Sequence, residues 1–165
     1  MLYFAYGSNM CTPRLRFRVP SAIPTGLAIL AGYELRWHKR SNDGSGKCNA
    51  YETSTQTSRV IGVLFEISQK EKSNLDSAEG LGYGYSGKDV VVIVNGRPVQ
   101  AFTYVAAPSH INESLVPYTW YKYFVLAGAV EHKHPAEYVG VIEAIAAIVD
   151  PDPVRERTER LKVLR

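Results

Sequence analysis

The chain has 165 residues, 45% of them apolar and 21% charged, with 19 basic against 16 acidic side chains for a formal charge of +3. That length suits a single hydrophobic core, and the charge balance excludes a dedicated nucleic-acid binder, a disordered acidic segment and a fibrous repeat. Two cysteines, Cys11 and Cys48, are too few for a disulfide framework and sit in no metal knuckle, so a reducing cytoplasm is the expected compartment. The opening MLYFAYGSNM has no basic leader, and the N-terminus is expected to belong to the fold. No membrane segment is expected either: Val139 to Val149 contains Glu143 and is about half the length of a span.

Leu2 to Tyr6 reads as a short buried strand ending in the tight turn Gly7-Ser8-Asn9. Thr12-Pro13 suits a helix start, whereas the alternation of Arg14, Arg16 and Arg18 with Leu15, Phe17 and Val19 suits a strand, and both readings stand. Ala22 to Trp37 reads as one long strand, Ser41 to Lys47 as a loop, and Cys48 to Thr53 as a strand pairing back. RVIGVLFEI at Arg59 to Ile67 is a core strand. Ser68 and Glu71 then form an S-x-x-E capping box that opens a helix running to Glu79 and stopping at Gly80. Asn95-Gly96 joins Val90–Val94 to Val99–Val105 in a hairpin whose second strand starts late because of Pro98. Tyr118 to Val130 and Pro135 to Ile148 suit helices, and Val139, Ile142, Ile145, Ala146 and Val149 fall on one face of the second, expected to cover the sheet. Residues 1–150 form one domain and 151–165 a tail that is a short solvated helix or frays. Strands in runs followed by helices, without βαβ alternation, predict an α+β fold with a mostly antiparallel sheet.

Several motifs have ordinary explanations. Gly82-x-Gly84-x-x-Gly87 matches a dinucleotide fingerprint in letters, but it follows a helix and precedes a strand, the reverse of what pyrophosphate binding needs, and reads better as a loop beside a site. His132 and His134 lack a nearby third ligand, Cys11 and Cys48 lack a local nucleophile signature, and Lys39-Arg40 and Arg14, Arg16 and Arg18 read as solvated faces. Two places carry more weight. After the first strand, the turn at Tyr6-Gly7-Ser8-Asn9 can point successive backbone N–H groups at an anion. At the end of LDSAEG, Glu79 sits at the negative end of a helix one turn from Asp76, and both neighbours favour its protonated form, as a proton-handling group requires.

YFAYGSNM, the PSA at Pro20 to Ala22, RVIGVLFEI, LDSAEG and YKYFVLAGAVEHKHPAEYV, in that order, resemble the γ-glutamylcyclotransferase (AIG2-like) family over nearly the whole chain. The form YGSN is similar to that of the general branch, whereas the glutathione-specific branch reads YGSL, which lowers glutathione as a substrate. The resemblance implies a small, mostly antiparallel β-barrel-like sheet surrounded by helices, with a pocket between the YGSN turn and a catalytic glutamate, by position Glu79. It implies that Tyr3 to Asn9 cradle the glutamyl α-carboxylate and that Tyr121 is the pocket tyrosine before Gly128. For the tyrosine preceding the strand after the glutamate, Tyr85 is the choice and Tyr83 the rival.

The chemistry follows from the substrate class. In a γ-glutamyl amine the α-amino group can attack the γ-carbonyl carbon, closing a five-membered lactam and expelling the amine without water or a covalent enzyme intermediate. The protein folds the glutamyl group, stabilises the oxyanion and shuttles a proton. Glu79 takes the shuttle, the amides of Gly7, Ser8 and Asn9 the α-carboxylate, and Tyr3, Tyr6, Tyr85 and Tyr121 pocket shape and hydrogen bonding. No metal or organic cofactor is needed. The expected partner is a small γ-glutamyl substrate, with no nucleic acid and no membrane, and a homodimer is left open. The alternative is a non-catalytic binding module keeping the same carboxylate pocket.

Overall fold

The computed structural model describes residues 1–162, so the last three positions of the expected 151–165 tail lie outside the described residues. β1 (Leu2–Ala5) leads into a 3₁₀ turn at Ser8–Met10 and α1 (Thr12–Arg18). β2 (Ile23–Ala31), β3 (Tyr33–Arg40), β4 (Gly46–Glu52) and β5 (Arg59–Glu66) follow, then α2 (Lys72–Glu79) and the hairpin of β6 (Tyr85–Val94) and β7 (Arg97–Ala106). Three helices come last: α3 (Thr119–Glu131), α4 (Ala136–Ala144) and α5 (Pro153–Leu161). Five strands close into a barrel in the order β1-β5-β2-β6-β7, and β3 and β4 form a separate antiparallel ribbon. Four of the barrel's pairings are antiparallel, and a parallel bridge between Tyr3 and Phe102 joins β1 to β7 and removes the edges an open sheet would expose. Among the described residues no helix is long and apolar enough to cross a membrane.

Helices and barrel share one core. Phe4 of β1, Leu15 of α1, Phe65 of β5, Leu75 of α2 and Phe124 of α3 are all fully buried, so the apolar side chain of each element packs on those of the others rather than on solvent. α3 comes close to the first turn at Gly128, where an added Cβ would stand 2.5 Å from the Cys11 amide nitrogen and the Met10 carbonyl carbon. Those neighbours are backbone and cannot swing aside. Gly128→Ala is therefore expected to destabilise the fold by about 1–3 kcal/mol or more, read as a lowered Tm, and a Tm equal to the parent's would show that α3 can back away.

Five expectations are corrected or resolved. Thr12–Arg18 is helical, with Pro13 in its first turn. Ala22 to Trp37 is two strands, because Gly32 turns the chain at φ +79 between them. The Ser68 hydroxyl accepts from the Lys70 amide as a cap should, but Glu71 does not reach back to it; its carboxylate accepts from the Ser21 amide, leaving the capping box half made. β7 begins at Arg97 in spite of Pro98, and Asn95 and Gly96 carry the positive φ values of a type I′ hairpin turn. α4 ends at Ala144, so Ala146 and Val149 lie beyond it and are exposed. Its buried side, Ile142, joins the core beside α3, and Tyr138 reaches the sheet by accepting from the Ile61 amide.

Candidate active site

The site begins with the way α2 ends. Leu75 is buried in the core, and Glu79, one helical turn further along, shares its inward face. Gly80 then stops the helix in the left-handed conformation at φ 67. The Glu79 Oε1 atom accepts from Asn9 Nδ2 at 2.9 Å and from Arg18 Nη1 at 2.7 Å. The same guanidinium nitrogen donates to Asn9 Oδ1 at 2.8 Å, and Asn9 Nδ2 also donates to the Tyr3 hydroxyl at 2.9 Å. Asn9, Arg18 and Glu79 thus hold one another in a triangle, and among the described residues Glu79 Oε2 has no hydrogen-bond partner. Asp76, one turn before it, is engaged by Lys72 and by the Tyr104 hydroxyl, and Glu79 faces the Arg18 guanidinium.

Every residue singled out from the sequence lines one inner cavity of about 30 Å³: Tyr3, Tyr6, Gly7, Ser8, Asn9, Glu79, Tyr85 and Tyr121, joined by Cys48 and Tyr104. The Gly7, Ser8 and Asn9 amides make no hydrogen bond among the described residues. Gly7 lies at φ −114 and is needed for space, since a Cβ would stand 3.1 Å from Cys48 Cβ and 3.2 Å from the Tyr121 hydroxyl. The Tyr6 hydroxyl donates to the Tyr104 carbonyl, Tyr85 donates to the Cys48 carbonyl at 2.6 Å, and Tyr121 accepts from the Cys48 amide at 3.0 Å. Burial pushes the pKa values of Tyr3, Tyr6, Tyr85 and Tyr121 far up, so the wall presents neutral phenols. Tyr85 is 7% exposed whereas Tyr83 is 71% exposed and leans on His110, which assigns the wall to Tyr85.

Outside the inner cavity opens a cleft of about 420 Å³ that shares Ser8, Glu79, Tyr85 and Tyr121 with it, a volume in the range of small-molecule sites. Its walls overturn the solvated reading for Arg14, Arg18 and Lys39, whereas Arg16 and Arg40 are exposed as expected. Arg14 is 5% exposed, lies over the Phe124 ring, and donates to Ser8 Oγ at 3.2 Å and to Glu159 of α5 at 3.1 Å. Arg16 donates to the Ala22 carbonyl, and Lys39 is 9% exposed with its ammonium 4.4 Å from the Tyr85 ring centroid. Neither Arg18 nor Arg14 was singled out from the sequence, and helical spacing is the signal that would have found them.

Lys47 sits 4.4 Å from the Trp120 ring centroid and pairs with Asp43 at 2.8 Å; burial outweighs that pairing and pulls its pKa down to about 8. Between about pH 8 and pH 10.5 the folded chain has released a proton that the unfolded chain still holds, so this lysine makes the fold more stable as pH rises. Lys47→Met is expected to remove that rise from a plot of denaturation midpoint against pH. Parallel curves for the two proteins would contradict it.

The two histidines stay outside the site. His134 stacks on Tyr138 and faces the Ala129 carbonyl, and His132 meets the Thr12 hydroxyl. Burial pushes the Cys48 thiol up to about 12, which leaves it without nucleophilic thiolate at neutral pH.

The AIG2-like family profile matches residues 59–142 of this chain. The mouse gamma-glutamylcyclotransferase is 30% identical over 160 residues, covering 87% of this chain and 78% of that protein. Its human counterpart is 30% identical over 154 residues with the same coverage. A solved gamma-glutamyl cyclotransferase superposes with a TM-score of 0.86 at 26% identity, over 99% of this chain and 98% of that one. The chain belongs to the γ-glutamylcyclotransferase family of enzymes.

Proposed function

We propose that the enzyme cyclises the γ-glutamyl group of a γ-glutamyl amino acid or amine to 5-oxoproline and releases the amine, with Glu79 as base and then acid. The observation that carries this reading is the Glu79 carboxylate, one oxygen held by Asn9 and Arg18 and the other free, in the same cavity as the Gly7–Asn9 turn. The α-carboxylate lies on the amides of Gly7, Ser8 and Asn9, with Tyr3, Tyr6, Tyr85 and Tyr121 shaping the pocket around the glutamyl chain. Glu79 Oε2 takes a proton from the α-ammonium, and the freed nitrogen attacks the γ-carbonyl carbon to form the ring C–N bond. Collapse of the tetrahedral oxyanion breaks the original amide C–N bond as a proton passes from Glu79 to the departing nitrogen. Two protons leave the attacking nitrogen as it becomes a lactam N–H, and two reach the leaving nitrogen as it becomes an ammonium, so the step balances without water or redox partner.

Folding the chain into the attacking shape is the larger part of catalysis here, since the nucleophile is carried by the substrate and gains from orientation as intramolecular reactions do. Incubation with γ-glutamyl-alanine is expected to release alanine and 5-oxoproline in equal amounts. A γ-glutamyl compound that binds and is recovered intact would overturn the reading in favour of a binding module.

A further inference from the structure

The outer cleft carries five cations, Arg14, Arg18, Lys39, Lys47 and Lys162, against three carboxylates, Asp43, Glu79 and Glu159. Four of the cations are engaged: Arg14 and Lys162 with Glu159, Arg18 with Glu79, and Lys47 with Asp43. Lys39 has no ion-pair partner among the described residues, yet it is 9% exposed, and burial pulls its pKa down against the smaller upward pull of the Glu79 and Asp43 carboxylates. A buried ammonium without a counter-ion is costly, and this one lies over the ring face of Tyr85, beside Gly84. Its position is specific. Lys39 and Glu79 together border both the outer cleft and a side chamber of about 180 Å³ that runs toward Tyr83 and His110.

Taking the cyclotransferase reading as its basis, we propose that Lys39 binds a carboxylate on the leaving amine and so selects γ-glutamyl α-amino acids over γ-glutamyl alkylamines. Glu79 must reach the departing nitrogen to protonate it. In an amino acid the carboxylate hangs from the carbon bonded to that nitrogen, which brings it beside Glu79, where Lys39 is the uncommitted cation. The charges agree: a γ-glutamyl amino acid has two carboxylates and one ammonium, and its second carboxylate supplies the counter-ion that Lys39 lacks.

The test compares γ-glutamyl-alanine with γ-glutamyl-ethylamine, which differs by loss of that carboxylate. The parent is expected to prefer the former in kcat/KM. Lys39→Met should cost it about 10–100-fold, the weight of a charge-assisted hydrogen bond, and leave γ-glutamyl-ethylamine within about threefold, while Lys39→Arg keeps part of the preference. Calorimetric binding of both compounds to Glu79→Gln, with and without Lys39→Met, gives a reading independent of turnover. If neither compound yields 5-oxoproline but binding retains a Lys39-dependent preference for γ-glutamyl-alanine, the cyclisation chemistry fails and Lys39 as carboxylate reader stands. Equal losses on both compounds, or no preference in the parent, overturn the assignment to Lys39 while leaving the chemistry intact.

Discussion

Glu79→Gln is expected to lower kcat for γ-glutamyl-alanine by about 10²–10⁴-fold, the range for a displaced general acid and base, with a Tm close to that of the parent. Glutamine keeps the length of the side chain, and its carbonyl oxygen can still accept from Asn9 Nδ2 and Arg18 Nη1 as Glu79 Oε1 does. What changes is the free oxygen, replaced by an amide NH₂ that cannot take up a proton. Because the α-carboxylate anchor is main chain, KM should move far less than kcat, the pattern of an interaction lost in the transition state alone. Glu79→Asp isolates position from chemistry: it keeps a carboxylate but withdraws it by one methylene, and a misplacement of about 1 Å can cost roughly 10²-fold. Glu79→Gln turning over within tenfold of the parent would remove Glu79 from the proton relay.

Legibility in the sequence followed the range of the interactions. The strand at Leu2, the helix stop at Gly80 and the Asn-Gly turn are set by neighbours a few residues apart and stand where the sequence places them, whereas the capping box is half made and the hairpin strands run longer than expected. What was not legible depends on period or on distant partners. Reading Arg14, Arg16 and Arg18 with a strand's period of two puts all three on one face, whereas a helix puts Arg14 and Arg18, four apart, on one side and turns Arg16 away. With the period left open, the cation bound to Glu79 and the one bound to Ser8 stayed hidden. Gly32 looked like one more strand residue because a positive φ leaves no trace in a lone glycine. Lys39 looked solvated because Tyr85, which covers it, lies more than forty positions away. Order along the chain and resemblance to a family located Glu79 and the YGSN turn; charge pairing around them needed coordinates.

The brace behind the turn is equally non-local. Arg14 links Ser8 to Glu159, so α5, which begins past residue 150, takes part in holding the segment that carries the unbonded amides. Burial accounts for the use of arginine at both positions: a guanidinium can donate in several directions at once from a fixed plane, which a lysine ammonium on a flexible stem cannot do as well. Arg14 spends its donors on structure, while Arg18 spends its own on the Asn9 and Glu79 side chains facing the substrate pocket.

Arg18→Met is accordingly expected to lower kcat for γ-glutamyl-alanine by about 10²-fold, the scale of a misplaced reacting group, with a smaller change in KM. The guanidinium fixes Glu79 Oε1 and Asn9 Oδ1 from a single nitrogen. Without it the carboxylate keeps only the Asn9 bond and can swing away from the scissile amide, while the amides of residues 7 to 9 stay where Gly128 and the core hold them. Arg18→Lys restores the charge but not the geometry, and should recover part of the lost kcat. A structural role alone would appear instead as a lowered Tm with kcat and KM unchanged at temperatures where the variant is folded. A loss confined to KM would assign Arg18 to substrate binding, leaving Asn9 to position Glu79.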